Sequence, residues 1–398
     1  MKLGGLASAV LLAAIAGGQA PAGPRPAAAD RVYVVGSGPK VVGLDAQTGA
    51  VAVQLPLAVA RPDWKLAYAV TGDRLQYLDP ATGAEVFGIR LPGPYQLPQT
   101  TADRKPGGLS QDGRWLVLYL TASNHNKASF LVVDTQARVI AHRADLEGWW
   151  EFDGIDDHGL RLYLTHYLPD NPGRYNVSLY HVDTQAIEGP IVEKSGDLRV
   201  MEGTRLSAVT DPSGQWQYSL YSRSGQGAFI HTLSLNAPFA WCVDLPGAGT
   251  PEQQSAWSLA MSSDGRRLFA TNPVLKRALA YDLQAASPGS PPQMQRSTVW
   301  SRPATATIPG GSVLAADLGR LFVVVDHGLL VVDPQGLDVR NQWARTQTFQ
   351  TLAAASDGNR LYAFAGAQLV RVDARTGAVE SGLPLAMEPV AILGVRAM

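Results

Sequence analysis

The feature that most constrains this chain is a short turn that returns along nearly its whole length. It reads Ser110-Gln111-Asp112-Gly113-Arg114, then Ser262-Ser263-Asp264-Gly265-Arg266, then Ser356-Asp357-Gly358-Asn359-Arg360, and each copy runs directly into a short apolar stretch. Looser copies stand at Asp157-His158-Gly159, Pro212-Ser213-Gly214 and Asp317-Leu318-Gly319, and an early one without glycine at Arg61-Pro62-Asp63-Trp64. A second turn alternates with the first: Asp45-Ala46-Gln47-Thr48-Gly49, Asp79-Pro80-Ala81-Thr82-Gly83 and Asp373-Ala374-Arg375-Thr376-Gly377, with weaker copies at Asp134, Asp183, Asp282 and Asp333 and one lacking Asp near Leu235-Asn236. Asp and Thr side chains bond nearby turn amides and Gly supplies positive φ, so these residues read as punctuation between short strands and not as a shared acidic site.

Each repeat holds four strands. Seven first turns against eight second turns leave one innermost strand missing, and the chain ends supply it. Glu388 to Val395 reads as an innermost strand with nothing after it, and Arg31 to Val35 as a second strand with nothing before it. Pairing the two completes a unit and removes the open edges that a linear array would expose. The expected fold is all-β, a closed β-propeller of four-stranded blades, eight in number with seven as the alternative. These turns resemble the YVTN-type and WD-like repeats of bacterial exported propellers over about residues 31 to 396. That resemblance implies a fold and says little about activity, because the matched residues are scaffold.

The first 29 residues have the parts of a secretory signal: Lys2, an uncharged apolar stretch from Leu3 to Ala16, and a Pro/Gly/Ala segment ending Ala27-Ala28-Ala29. The apolar stretch is short of the roughly 20 residues of a spanning helix. Cleavage after Ala29, an extracytoplasmic location and a single mature domain over 30–398 are therefore expected. A net charge of −1 gives no field to attract nucleic acid or an anionic membrane. A monomer binding an unidentified small molecule or protein is the expected state. The single Cys242 excludes an intrachain disulfide, and its apolar neighbours make it a buried small hydrophobe.

Candidate chemistry is sparse. Asp153 with Asp156-Asp157-His158 falls at a turn away from the funnel, so it reads as an acidic surface turn, and no metal site is expected. The seven histidines show no ligating spacing, though His125, His166 and His327 are expected in loops edging the funnel. Quinone-dependent dehydrogenases share the eight-bladed plan, but the Trp after each Thr-Gly turn and the paired cysteines are absent here, so no cofactor is expected. Resemblance to propeller lactone hydrolases supplies the alternative activity, with Arg174, Arg205, Arg223 and Glu202 as polar groups at the rim. The leading expectation is non-catalytic binding at the funnel mouth, on the loop from Leu146 to Phe152 and the loops His166–Tyr175 and Glu202–Arg205. There Trp149 or Trp150 would stack on a ligand, and Glu151, His166, Arg174 and Arg205 would supply polar contacts to a hydroxyl-bearing, partly apolar molecule. Arg223, Trp257 and His327 are the next places to look.

Overall fold

The computed structural model describes residues 30–36, 38–193, 200–223, 225–284, 292–300, 311–315 and 318–398. The expected signal segment lies outside the described residues. Eight sheets follow one another, antiparallel except where the short strand Val192–Glu193 joins the outer edge of the fifth in parallel, and we number them as blades 1 to 8 in chain order. Within a blade the strands run a to d from the axis outward.

Blade 1 is closed by the two chain ends. Its strand a is Pro389–Ala397, paired antiparallel with Asp30–Gly36 from Asp30 opposite Ala397 to Gly36 opposite Pro389. Lys40–Asp45 and Val51–Pro56 complete it. Blade 2 is complete, with Ala58–Ala60, Ala67–Thr71, Arg74–Leu78 and Glu85–Arg90. In its first turn Trp64 adopts φ 55°, the conformation that Gly113, Gly265 and Gly358 take at φ 75°, 68° and 66°. The left-handed φ is strained for a bulky residue, and the compensation is packing: the Trp64 ring sits on Tyr33 of blade 1 at 4.3 Å. The Asp turns behave as punctuation should. Asp45 Oδ1 accepts from the N–H groups of Gln47 and Thr48, and Asp373 Oδ1 from those of Arg375 and Thr376. In blade 5 Ser234 takes the place of the missing Asp, its hydroxyl accepting from Asn236 N–H.

The core is not one mass. Eight clusters of buried apolar side chains each fill the gap between two successive blades, the last joining Tyr362 and Phe364 of blade 8 to Val32 and Val34 of blade 1. Eight blades with eight interfaces is a closed ring. Each fully buried Leu, Val or Phe in those gaps contributes about 1.5–3 kcal/mol. The closing seam is also polar: the Tyr362 hydroxyl donates to Asp30 Oδ2 at 2.6 Å.

Blade 3 departs from the plan. Strands Trp115–Thr121, Lys127–Asp134 and Val139–Glu147 form a three-stranded sheet, and strand a shrinks to two isolated bridges, Gln96 to Tyr119 and Leu109 to Leu116. The segment from Pro98 to Gly108 loops inward instead. Its Ala102 N–H donates to Arg205 O of blade 5.

Candidate functional site

Blades 4 and 5 bury charge beside the axis. Strand a of blade 4, Trp150–Ile155, is interrupted by a bulge between Phe152 and Gly154, which leaves Asp153 without a partner across the ladder. Strand a of blade 5, Thr204–Thr210, is interrupted between Arg205 and Ser207. Bulges re-aim side chains, and here they fall at Asp153 and directly after Arg205. Asp153 is fully buried and Arg205 is 8% exposed. Asp153 Oδ1 lies 3.0 Å from Arg205 Nη1. Gln217, from strand b of blade 5, donates to the Asp153 carbonyl at 2.9 Å. Arg205 Nη2 donates to Ser219 Oγ at 2.8 Å, and Nη1 to Thr100 Oγ1 of the inward loop at 3.1 Å.

His231, from strand c of blade 5, approaches from behind. It is fully buried, with Nε2 3.5 Å from Asp153 Oδ2 and Nδ1 3.9 Å from Cys242 Sγ. Burial disfavours the carboxylate of Asp153, but Arg205 and His231 outweigh it and hold the carboxyl below its usual range. Burial likewise works against a charged His231, yet Asp153 and Cys242 outweigh it and raise the imidazole to about 9. The Oδ2 and Nε2 atoms make no hydrogen bond with one another, so the pull on His231 is that of a nearby charge in a dry site.

Above this cluster opens a cavity of about 710 Å³. Arg205 forms its floor, the rings of Tyr167, Tyr175 and Tyr221 line a wall, and Glu151 and Glu202 stand nearer the mouth. Burial raises all three tyrosine pKa values, so their hydroxyls stay protonated at neutral pH. Below lies a second cavity of about 430 Å³, which shares Arg205 and Thr100 with the first and is lined by Asp153 as well. Arg205 and the inward loop therefore partition the space near the axis.

No protein-family model matches the chain, and no curated protein matches it. Solved structures do. The dihydro-heme d1 dehydrogenase NirN in complex with DHE superposes with a TM-score of 0.53 at 17% identity, over 92% of this chain and 75% of that one. Apo AztD from Citrobacter koseri superposes with a TM-score of 0.56 at 14% identity, over 93% of this chain and 98% of that one. Likeness at these identities shows the β-propeller fold and nothing finer.

The residues singled out in the sequence are distributed unevenly around this cavity. Glu151 and Arg205 line it, while Trp149, Trp150, His166 and Arg174 do not. The expected loop from Leu146 to Phe152 is mostly strand, since Val139–Glu147 and Trp150–Ile155 leave only Gly148 and Trp149 between them. Trp150 is core. It packs between blades 3 and 4 and stacks on His166 at 3.9 Å and 5°. His166 is a strand residue opposite Trp150, and burial lowers its pKa. Trp149 stands behind the wall, stacked on Tyr167 at 4.4 Å and on His125 at 4.1 Å, with its indole N–H donating to Glu151 at 3.3 Å. Arg174 lies in strand c of blade 4 opposite Glu202. Trp257 is buried, Arg223 pairs with Asp244 at 2.7 Å, and His327 lies in the b–c turn of blade 7.

Three residues of the cluster were read differently from the sequence. Asp153 is not part of an acidic surface turn; Asp156 alone caps that turn, accepting from Leu160 N–H, and Asp157 accepts from Asp112 N–H across the blade gap. Arg205 is a buried strand residue and not a solvated rim group. Cys242 is half-buried against an imidazole. The missed signal was an ionisable residue within or directly after a short apolar run, Phe152-Asp153-Gly154-Ile155 and Ala228-Phe229-Ile230-His231.

Proposed function

We propose that the chain is an exported, non-catalytic β-propeller of the YVTN type that binds a small molecule in the cavity above blades 4 and 5. The observation that carries this reading is the buried Asp153–Arg205–His231 cluster directly beneath a cavity to which blades 3, 4 and 5 all contribute. Charges are held out of water at a cost of several kcal/mol, and that cost is concentrated where the fold leaves room for a ligand. The cavity is of a size and lining suited to small molecules, with aromatic walls and a few convergent polar groups. A neighbour of this fold is described in complex with DHE, which speaks for the fold as a host of ligands and leaves the ligand here to its own residues.

Binding is favoured over hydrolysis by position. Cys242, His231 and Asp153 stand in a nucleophile–base–acid order, but Cys242 and His231 line neither of these two cavities, so that order does not open onto the cavity proposed to hold the ligand. The test is capture. Mature protein incubated with extract of its native host should retain a small molecule identifiable by mass spectrometry. Thr204→Trp, which fills the cavity from an exposed position, should lose it while keeping the melting temperature. A T204W variant that retains the molecule would move the site elsewhere. The same mass spectra should show the chain beginning near Asp30, and a mature form retaining Met1 would defeat export.

A further inference from the structure

The cavity has an unlike charge at each end, and neither is fully answered by the protein. At the floor both Nη atoms of Arg205 are committed to Asp153, Thr100 and Ser219, whereas its Nε–H, buried in a side chain 8% exposed, has no hydrogen-bond partner among the described residues. Asp153 does not simply cancel Arg205, because the same carboxylate also faces His231. The floor is therefore the positive end. Nearer the mouth Glu151 is held by two neutral donors, Trp149 Nε1 at 3.3 Å and the Tyr167 hydroxyl at 3.0 Å, and no ion pair to it occurs among the described residues. Glu151 precedes Asp153 by two residues on one strand, which sets the two levels about 6–7 Å apart along the axis. Tyr167, Tyr175 and Tyr221 line the space between.

We infer that the cavity takes a small amphoteric molecule, with a carboxylate against Arg205 at the floor, a protonated amine against Glu151 at the mouth, and an apolar or aromatic spacer along the tyrosine wall. This rests on the cavity being the binding site. A simple anion would meet the Glu151 carboxylate on entry, and a simple cation would leave the guanidinium unanswered; only a molecule with both ends satisfies both. Tyr167 and Trp149 reinforce the mouth, since an ammonium beside aromatic faces gains cation–π attraction. Glu202 is less selective because Arg174 stands opposite it.

The probe is 4-(aminomethyl)benzoate, whose charged ends are separated by one ring, compared by calorimetry with its methyl ester and its N-acetyl derivative. The zwitterion should bind at least tenfold more tightly than either blocked form. Glu151→Gln should abolish the preference over the N-acetyl form, preserve the preference over the methyl ester, and leave the melting temperature unchanged. Equal binding of the ester overturns the floor assignment, equal binding of the N-acetyl form overturns the mouth assignment, and no binding of any of the three overturns the inference. Capture from host extract of a molecule lacking one charged end, displaced by T204W, would sink this inference and leave the binding cavity standing.

Discussion

Blades 4 and 5 and blades 7 and 8 are built on one plan and spend it differently. In blades 7 and 8 strand a is Ser312–Ala315 or Leu352–Ala354, each pairing with strand b without a bulge. Tyrosine apart, with the Tyr362 hydroxyl on Asp30 at the seam, no polar side chain of the described residues from Gly311 onward is buried. In blades 4 and 5 strand a carries Asp153 or Arg205 beside a bulge, and Thr165, Ser178, Gln217, Ser219, His231 and Thr232 are buried around them. Apolar closure supplies stability on one side of the ring, and that surplus tolerates desolvated charge on the other. A ring distributes this tolerance because each blade is held by two neighbours.

The comparison breaks first if closure is not the source of stability. Deleting residues 388–398 removes strand a of blade 1 and should abolish the cooperative thermal transition; an unchanged melting curve by circular dichroism would show that blades 7 and 8 do not depend on being sealed to blade 1. Next in size, Asp153→Ala leaves Arg205 and His231 buried without their shared counter-charge and should cost about 3–5 kcal/mol in urea unfolding. Trp150→Ala should lose a comparable ~3–5 kcal/mol through a cavity between blades 3 and 4. Trp149→Ala, behind the ligand wall, should cost clearly less than W150A while weakening ligand binding. Equal losses for the two would assign both rings to packing.

Acidity sharpens the comparison further. The folded pKa of His231 is raised from 6.5 to about 9, so its contribution is fully present below pH 6.5 and is lost as pH rises toward 9. Asp153 has the opposite sign: its lowered pKa gives stability present above the ordinary carboxylate range and lost in acid. The groups facing His231 are Asp153, Cys242 and the ring of Tyr221 at 6.1 Å, with Arg205 beyond Asp153. Wild-type melting temperature should fall between pH 6.5 and 9, and His231→Gln should flatten that fall. A slope unchanged in H231Q would place the titrating group elsewhere. The smallest effect is expected from Glu151→Gln, with no measurable stability change and a loss confined to ligand affinity.

Much of the architecture was legible in the residues because its signals are local. An Asp whose oxygen bonds the amides two and three residues on, as at Asp45 and Asp373, needs only its own turn to act. Even ring closure, a contact between Asp30 and Ala397, could be inferred, because counting turns exposes an unpaired strand at each end. The site was not local in this sense. Glu151 and Arg205 were recognisable as polar groups near the rim, but the partner of Arg205 is Asp153, one blade away, and that of Asp153 is His231, in the third strand of the next sheet. One bulge takes Asp153 itself out of the ladder and the other follows directly after Arg205, and a bulge has no fixed sequence sign. Trp149 and Trp150 are adjacent in sequence and separate in fate, one behind the cavity wall and one in the core, because Trp150 begins strand a of blade 4 and faces blade 3 while Trp149 lies in the two-residue connection before it, and only the surrounding blades decide what each ring meets. The sequence by itself thus determined the repeat and the pairing of its two ends, and it put eight blades ahead of seven, a count that the eight sheets then fixed. The ring decided which charges were buried together, since burial depends on what the adjacent blade brings to the same depth.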